Sequence, residues 1–168
     1  MSALQALDPG EPGSHLPTLL QANIKDVFFG RNVKVVLPVN LYGCAIGDDC
    51  FIGPFVEIQR KVRIGARTKV QSHTFICELV TMGNDCFIGH GVMFINDTFA
   101  GGGPAGGRQE LWRATRIGHK VSIGSNATIM PVNICDGAVI GAGAVVTRDI
   151  QEPGVYAGNP ARKIKALP

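Results

Sequence analysis

Asn96, Glu78 and Arg60 follow one another at intervals of 18 residues, and Asp97 comes directly after Asn96. An amide, a carboxylate and a guanidinium in one column could hold and orient a polar substrate. The amide donates and accepts hydrogen bonds but cannot take a proton. Asp97 is the nearest carboxylate that could. The four histidines are His15, His73, His90 and His119, and none stands at the Asn96 position itself. The five cysteines, Cys44, Cys50, Cys77, Cys86 and Cys135, form no C-x-x-C pair and no zinc pattern. They read as reduced thiols of a cytoplasmic protein, and no metal site is expected.

A repeat is what would align the column. From Ile46 a large apolar residue recurs every six positions: Ile46, Ile52, Ile58, Ile64, Val70, Ile76, Met82, Ile88 and Phe94. Four residues after each large one stands a small or β-branched one, from Cys50 and Val56 through Thr68 and Thr74 to Cys86 and Val92. Two inward positions that lie two apart belong to a strand, and a period of 3.6 matches none of this. The pattern resumes at Ile117, Ile123 and Ile129, closes up by one residue, and continues with Ile134, Ile140 and Val146. One hexad makes one flat face, and three make a triangular coil of 18 residues. Coils stack at roughly 4.8 Å, so residues 18 apart share a corner. The fold class is all-β, a parallel β-helix. Cys50 and Cys86 fall two coils apart in one column, roughly 9.6 Å, too far for a disulfide.

Three segments depart from the repeat. Residues 1–24 read as an N-terminal arm with a short helical stretch near Thr18–Ala22. Residues 25–150 are the helix domain, from which the loop 98–115 is expelled, and its Gly and Pro imply mobility. Residues 151–168 are a C-terminal extension that leaves the coil after the QEPG stretch. Asn96 and Asp97 stand where the loop interrupts the repeat, beside the column of Glu78 and Arg60. The composition bounds the partners. Only 17% of residues are charged and the formal net charge is +3. That is too mild for nucleic acid and suits small anions. The first 16 residues carry no Lys or Arg, which argues against a cleavable signal peptide. No apolar run approaches the roughly 20 residues of a membrane helix.

The hexad [LIV]-G-x-x-[STAV]-x resembles that of the hexapeptide-repeat proteins, and this resemblance implies a left-handed helix. The stretch HGVMFIND (His90 to Asp97), the loop, and then SIGSNATIMP, VIGAGAVVTRDI and AGNPARKIK resemble the hexapeptide acyltransferases. The likeness spans residues 30–168 and is strongest to N-acetyltransferases acting on 3-amino sugars linked to UDP or dTDP, enzymes of lipopolysaccharide and other glycan pathways. It implies acetyl-CoA as donor, a nucleotide-linked amino sugar as acceptor, and a homotrimer with the cofactor between two subunits. The matching cofactor positions are Ser125, Ala142, Thr147, Arg148, Arg162 and Lys165. Small residues admit the pantetheine arm, and cations suit its phosphates. Many relatives carry a catalytic His where this chain has Asn96, and the amino-sugar subgroup has Asn. The implied route is attack by a neutral amine, with Asn96 orienting, Asp97 as nearest proton acceptor, and His90 joining from a neighbouring subunit. Glu78, Arg60 and His73 are the candidates for holding the substrate. The AGGGPAGG run departs from the subgroup's compact turn.

Three rival readings differ in what they need. A carbonic anhydrase on the same prism needs three imidazoles at an open zinc, and no two histidines here stand five apart. A non-catalytic scaffold needs neither the loop nor the basic C-terminus. A sugar O-acetyltransferase needs a base for its hydroxyl, which Asn96 cannot supply.

Overall fold

The computed structural model describes Thr18 and residues 20–167. The chain winds into a three-sided prism of parallel sheets. Face A holds seven strands, Ile24–Lys25, Asn40–Tyr42, Glu57–Ile58, Phe75–Ile76, Met93–Phe94, Thr128–Ile129 and Val145–Val146. Face B runs from Phe28–Phe29 to Asn133–Ile134 through six strands. Face C has eight, starting at Lys34–Val35 and ending at Val155–Ala157 and Arg162–Lys165. The strands are short because each face is one hexad wide.

The periodic residues make the core. Ile52, Ile58, Val70, Ile76, Ile88, Phe94, Ile123 and Ile129 have essentially no exposed surface, and neither do their small partners Val92, Val121, Ala127, Ala138 and Ala144. Each full burial of a large apolar side chain contributes about 1.5–3 kcal/mol, and the coils stack these in continuous columns. Thr68 and Thr74 are the polar members of the small column. Thr74 Oγ1 donates to the Gly89 carbonyl at 2.9 Å, so its hydroxyl costs little there. Cys44, Cys50, Cys77 and Cys86 are buried and all five thiols are free. Burial pushes the Cys44 thiol up to about 11 and that of Cys77 to about 12.

Coil length is 18 residues in the middle, as Phe75 pairs with Met93 and Ile58 with Ile76. It is 17 at both ends, where Leu41 aligns with Ile58 and Ile129 with Val146. The lower shortening hides four strands, one full coil and one further face, from the hexad count. Ile24, Phe29, Val35 and Leu41 continue the register below Ile46 through two one-residue slips, at Ile24–Phe29 and Leu41–Ile46. Most corners place one residue in the left-handed backbone region, including Phe55, His73, Gly91, Asn126 and Gly143 between faces C and A. At Gly124 in that corner a Cβ would collide with the backbone nitrogen of Ala142, so that position admits only glycine.

Two expectations about the ends are corrected. Thr18 and Leu20–Ala22 carry no helix, and residues 1–17 and 19 lie outside the described residues. At the other end the chain does not leave the coil after Gly154. Val155–Ala157 extends face C in parallel with Val139–Ile140, and only then does Arg162–Lys165 turn back antiparallel. Tyr156 and Ala161 pack on the core and close its upper end, which an open prism requires.

Candidate functional site

The corner between faces A and B carries the loop. Its successive coils present Gln59–Lys61, Cys77–Leu79 and Ile95–Asp97, after which the chain departs and returns at the strand Thr115–Ile117. Asn96, Glu78 and Arg60 are stacked as their spacing requires. Asn96 Nδ2 donates to the Glu78 carbonyl at 3.4 Å, and Arg60 Nε stands 3.2 Å from Glu78 Oε1. The column does not point wholly outward, however. The Glu78 side chain is 7% exposed, against 57% for Arg60. The Arg60 guanidinium lies 5.8 Å from the ring centre of Tyr42, one coil lower, which holds it against the corner.

The loop is folded against this corner. Asp97 Oδ1 accepts the Phe99 amide at 2.9 Å and Oδ2 accepts the Ala105 amide at 2.7 Å. Both Asp97 oxygens therefore anchor the loop. Lys61 Nζ donates to Gln109 Oε1 at 3.0 Å, and the Arg113 amide donates to the Asn96 carbonyl at 2.9 Å. The loop carries a short 3-10 turn, Gln109–Leu111. Between Asp97, Pro104, Ala105, Arg108 and Leu111 it encloses a small cavity of about 80 Å³. The Gly-rich run thus forms a folded cap held at four points. The corner carboxylate left with a free oxygen is Glu78, whose buried Oε2 has no hydrogen-bond partner among the described residues. Sequence reasoning missed Lys61 and Gln109, because their contact spans 48 residues and no periodicity predicts it.

The remaining site residues fall on two different edges of face A. Thr147 and Arg148 lie above Asn96 at the corner of faces A and B. His73, His90, Ser125 and Ala142 lie at the corner of faces C and A, where the His73 ring stacks on Phe55 at 4.9 Å. Arg162 pairs with Ala157 at the top of that same edge, whereas Lys165 pairs with Val155 at the far end of face C. All of these side chains except Ser125 are exposed. Within one chain, then, His90 does not meet Asn96, and the cofactor positions divide into Ser125, Ala142 and Arg162 on one edge and Thr147 with Arg148 on the other. His119 is at the third corner, its Nδ1 accepting the Asn84 amide at 3.0 Å. The three described imidazoles therefore do not gather in one chain. A groove of about 830 Å³ lies apart from the loop on face C, around Phe51 between Lys34 and Lys69.

A three-sided coil with one expelled corner loop defines a class, the hexapeptide-repeat β-helices. Two family models match: "Bacterial transferase hexapeptide (six repeats)" over residues 43–78 and "Hexapeptide repeat of succinyl-transferase" over 114–148. The chain belongs among the hexapeptide-repeat proteins, and its prism is a left-handed β-helix. The bifunctional protein GlmU of Zymomonas mobilis is 32% identical over 84% of this chain, and the alignment takes in 34% of GlmU. The chain thus spans about a third of the length of the curated relatives it matches. Among solved structures, a variant of AntD, an N-acyltransferase from Bacillus cereus in complex with dTDP and coenzyme A, superposes with a TM-score of 0.75. It is 26% identical and covers 85% of this chain and 84% of its own. A second AntD variant, holding dTDP-4-amino-4,6-dideoxyglucose and coenzyme A, has the same TM-score at 25% identity. A hexapeptide-repeat acetyltransferase of Vibrio cholerae, 22% identical with a TM-score of 0.63, shares the fold. Among the described residues no helix is long and apolar enough to cross a membrane.

Proposed function

We propose that this protein transfers the acetyl group of acetyl-CoA to the amino group of a nucleotide-linked sugar, with UDP or dTDP as the nucleotide and a 3-amino sugar as the acceptor. The observation that carries this is Asn96, an amide at the corner where the coil is interrupted and capped, in a chain that superposes on an N-acyltransferase over most of its length. In the reaction a C–N bond forms and the thioester C–S bond breaks. The nitrogen loses a proton and the departing thiolate gains one. A neutral amine is already a competent nucleophile, so orientation supplies much of the rate. Asn96 Nδ2 is directed at the Glu78 carbonyl, which leaves the amide oxygen to accept a hydrogen bond from the acceptor amine.

The split of the site over two edges supports a homotrimer. A head-to-tail contact repeated three times closes a ring, and each contact sets one chain's A–B edge against its neighbour's C–A edge. Asn96, Thr147 and Arg148 of one chain then face His90, Ser125, Ala142 and Arg162 of the next. The outward residues agree with this arrangement. Above the lowest coil, face B presents Arg63, Thr81, Arg116 and Asn133, whereas face A presents Phe75 and Met93 above Glu57, Met93 being 42% exposed. Small residues at Ser125 and Ala142 leave room for a pantetheine arm, and Arg162 stands where it can meet phosphate.

The test is an acetyl-transfer assay of the full chain with acetyl-CoA against dTDP- and UDP-linked 3-amino, 4-amino and unmodified sugars. Transfer to a 3-amino sugar is expected. Preference for a hydroxyl acceptor would refute the reading, and preference for a 4-amino sugar would correct its substrate.

A further inference from the structure

Face C carries a pattern that acyl transfer does not use. Its outward residues, coil by coil upward, are Lys34, Phe51, Lys69 and Phe87, aligned in register. Cation and aromatic alternate over four coils, so like rungs recur every second coil, about 9.6 Å apart. Both lysines are exposed, and Phe87 is 41% exposed. Among the described residues neither Lys34 nor Lys69 has an ion-pair partner. At the neighbouring corner of faces B and C, by contrast, Arg31 is held by Asp48 and Arg67 by Asp85. The groove of about 830 Å³ follows the lower three rungs and is bordered by Asn32, Asp49 and Gln71. The trimer contact proposed above uses face A and its edges, so the width of face C stays open in that assembly.

An occupant of these rungs must offer acids about 9.6 Å apart with apolar groups between them. A β-strand laid along the prism axis repeats a side every two residues, about 6.8 Å, and is out of step by the next cation. A polyproline II segment repeats every three residues at about 3.1 Å each, or about 9.3 Å, and stays in step. This chain carries a tandem of that period and chemistry, Asp8-Pro9-Gly10 followed by Glu11-Pro12-Gly13. We propose that this N-terminal segment docks along face C of its own chain, with Glu11 on Lys34, Pro9 on Phe51, Asp8 on Lys69 and Leu7 on Phe87. Proline against an aromatic ridge is a recurring mode of peptide recognition, and the flanking ion pairs fix the register. The direction follows from where the segment joins the prism. Ala22 and Asn23 lie beside Leu37 and Pro38 at the lower end of the edge between faces C and A, so the chain read backwards climbs from Lys34 to Phe87. The stretch from Glu11 to Ala22 reaches up to about 36 Å, ample to cross a face one hexad wide.

Carbodiimide cross-linking of the full chain, read by mass spectrometry, tests this, because it joins only a carboxylate and an amine already in contact. Links of Glu11 to Lys34 and of Asp8 to Lys69 are expected. In a co-refolded mixture of isotope-labelled and unlabelled chains, each linked pair should carry one label. The fourfold swap Asp8→Lys, Glu11→Lys, Lys34→Glu and Lys69→Glu should restore both links with acid and amine exchanged. Thermolysin should cleave before Leu7 about 2–30-fold faster in the double variant Lys34→Glu, Lys69→Glu, as the loss of two exposed ion pairs implies. High salt should move the wild-type rate in the same direction. Links that prefer other lysines, a swap that restores none, or an unchanged cleavage rate overturns the assignment. Pairs of mixed label would place a neighbouring chain's segment on face C and overturn it equally. None of these readings depends on acetyl transfer, so this inference and the proposed function can each fail alone.

Discussion

At the scale of single residues the corner separates three roles that residue type alone leaves entangled. Asn96 and Asp97 are neighbours in sequence, yet one side chain reaches toward the coil below and the other is tied into the loop. Asn96→Ala should lower kcat/KM by about 10–1000-fold, or about 1.4–4 kcal/mol, through lost positioning. The midpoint of the pH–rate profile should follow the pKa of whichever sugar amine is supplied. A midpoint that stays fixed across acceptors would instead reveal a protein base, and the unassisted amine would be the wrong mechanism. The column of Asn96, Glu78 and Arg60 was legible in the 18-residue spacing. The inward turn of the Glu78 carboxylate was not, because spacing fixes where a Cα stacks and not which neighbours a four-bond side chain finds.

Corners and strands behave differently. At the corner of faces B and C, acids and bases alternate from coil to coil, with Arg31 on Asp48 at 2.8 Å and Arg67 on Asp85 at 2.6 Å. The Arg67 guanidinium holds the Asp85 carboxyl below its usual range, as Arg31 does for Asp48. A depressed folded pKa contributes stability that is present above the unfolded value and lost as pH falls through the folded one. Arg67→Gln should therefore lower the melting temperature slightly at neutral pH and not at all once pH is below the folded pKa of Asp85. The pair is exposed, so the difference should shrink in high salt as well. A melting difference that persists in strong acid would show that Arg67 acts through packing. The C-terminal strand makes the second case. Arg162 lies on the edge shared with Ser125 and Ala142, and Lys165 does not. Arg162→Ala should raise the KM for acetyl-CoA about tenfold with little change in kcat, and Lys165→Ala should move it much less. Equal effects from the two would contradict this placement of the cofactor phosphates.

On the scale of the whole molecule, the prism sets the residues of the proposed site on two separate edges of face A. Sedimentation at micromolar concentration should report a trimer. Subunit mixing checks the sharing of the site more directly. Asn96→Ala disables one edge and Ala142→Trp blocks the other. In a randomly mixed trimer about a quarter of the interfaces would pair two intact edges, so co-refolded inactive variants should regain about a quarter of wild-type activity. No recovery on mixing, despite trimer formation, would place the whole site within one chain.

Periodicity by itself determined the prism: an apolar residue at every sixth position can be buried only if each hexad forms one side of a closed coil. It also determined where the repeat breaks, and thus where a site could stand. It did not show the lower coils from Ile24 or the closing strand Val155–Ala157, because a one-residue slip or a reversal erases the period while the core continues. Tertiary structure alone decided that the Gly-rich loop is a cap, since its anchors are backbone amides on Asp97 and the Lys61–Gln109 contact. It alone placed His90 and Asn96 on opposite edges of face A. Two residues six apart differ by one corner of a triangle, and whether they share a site depends on which surface is brought against that face.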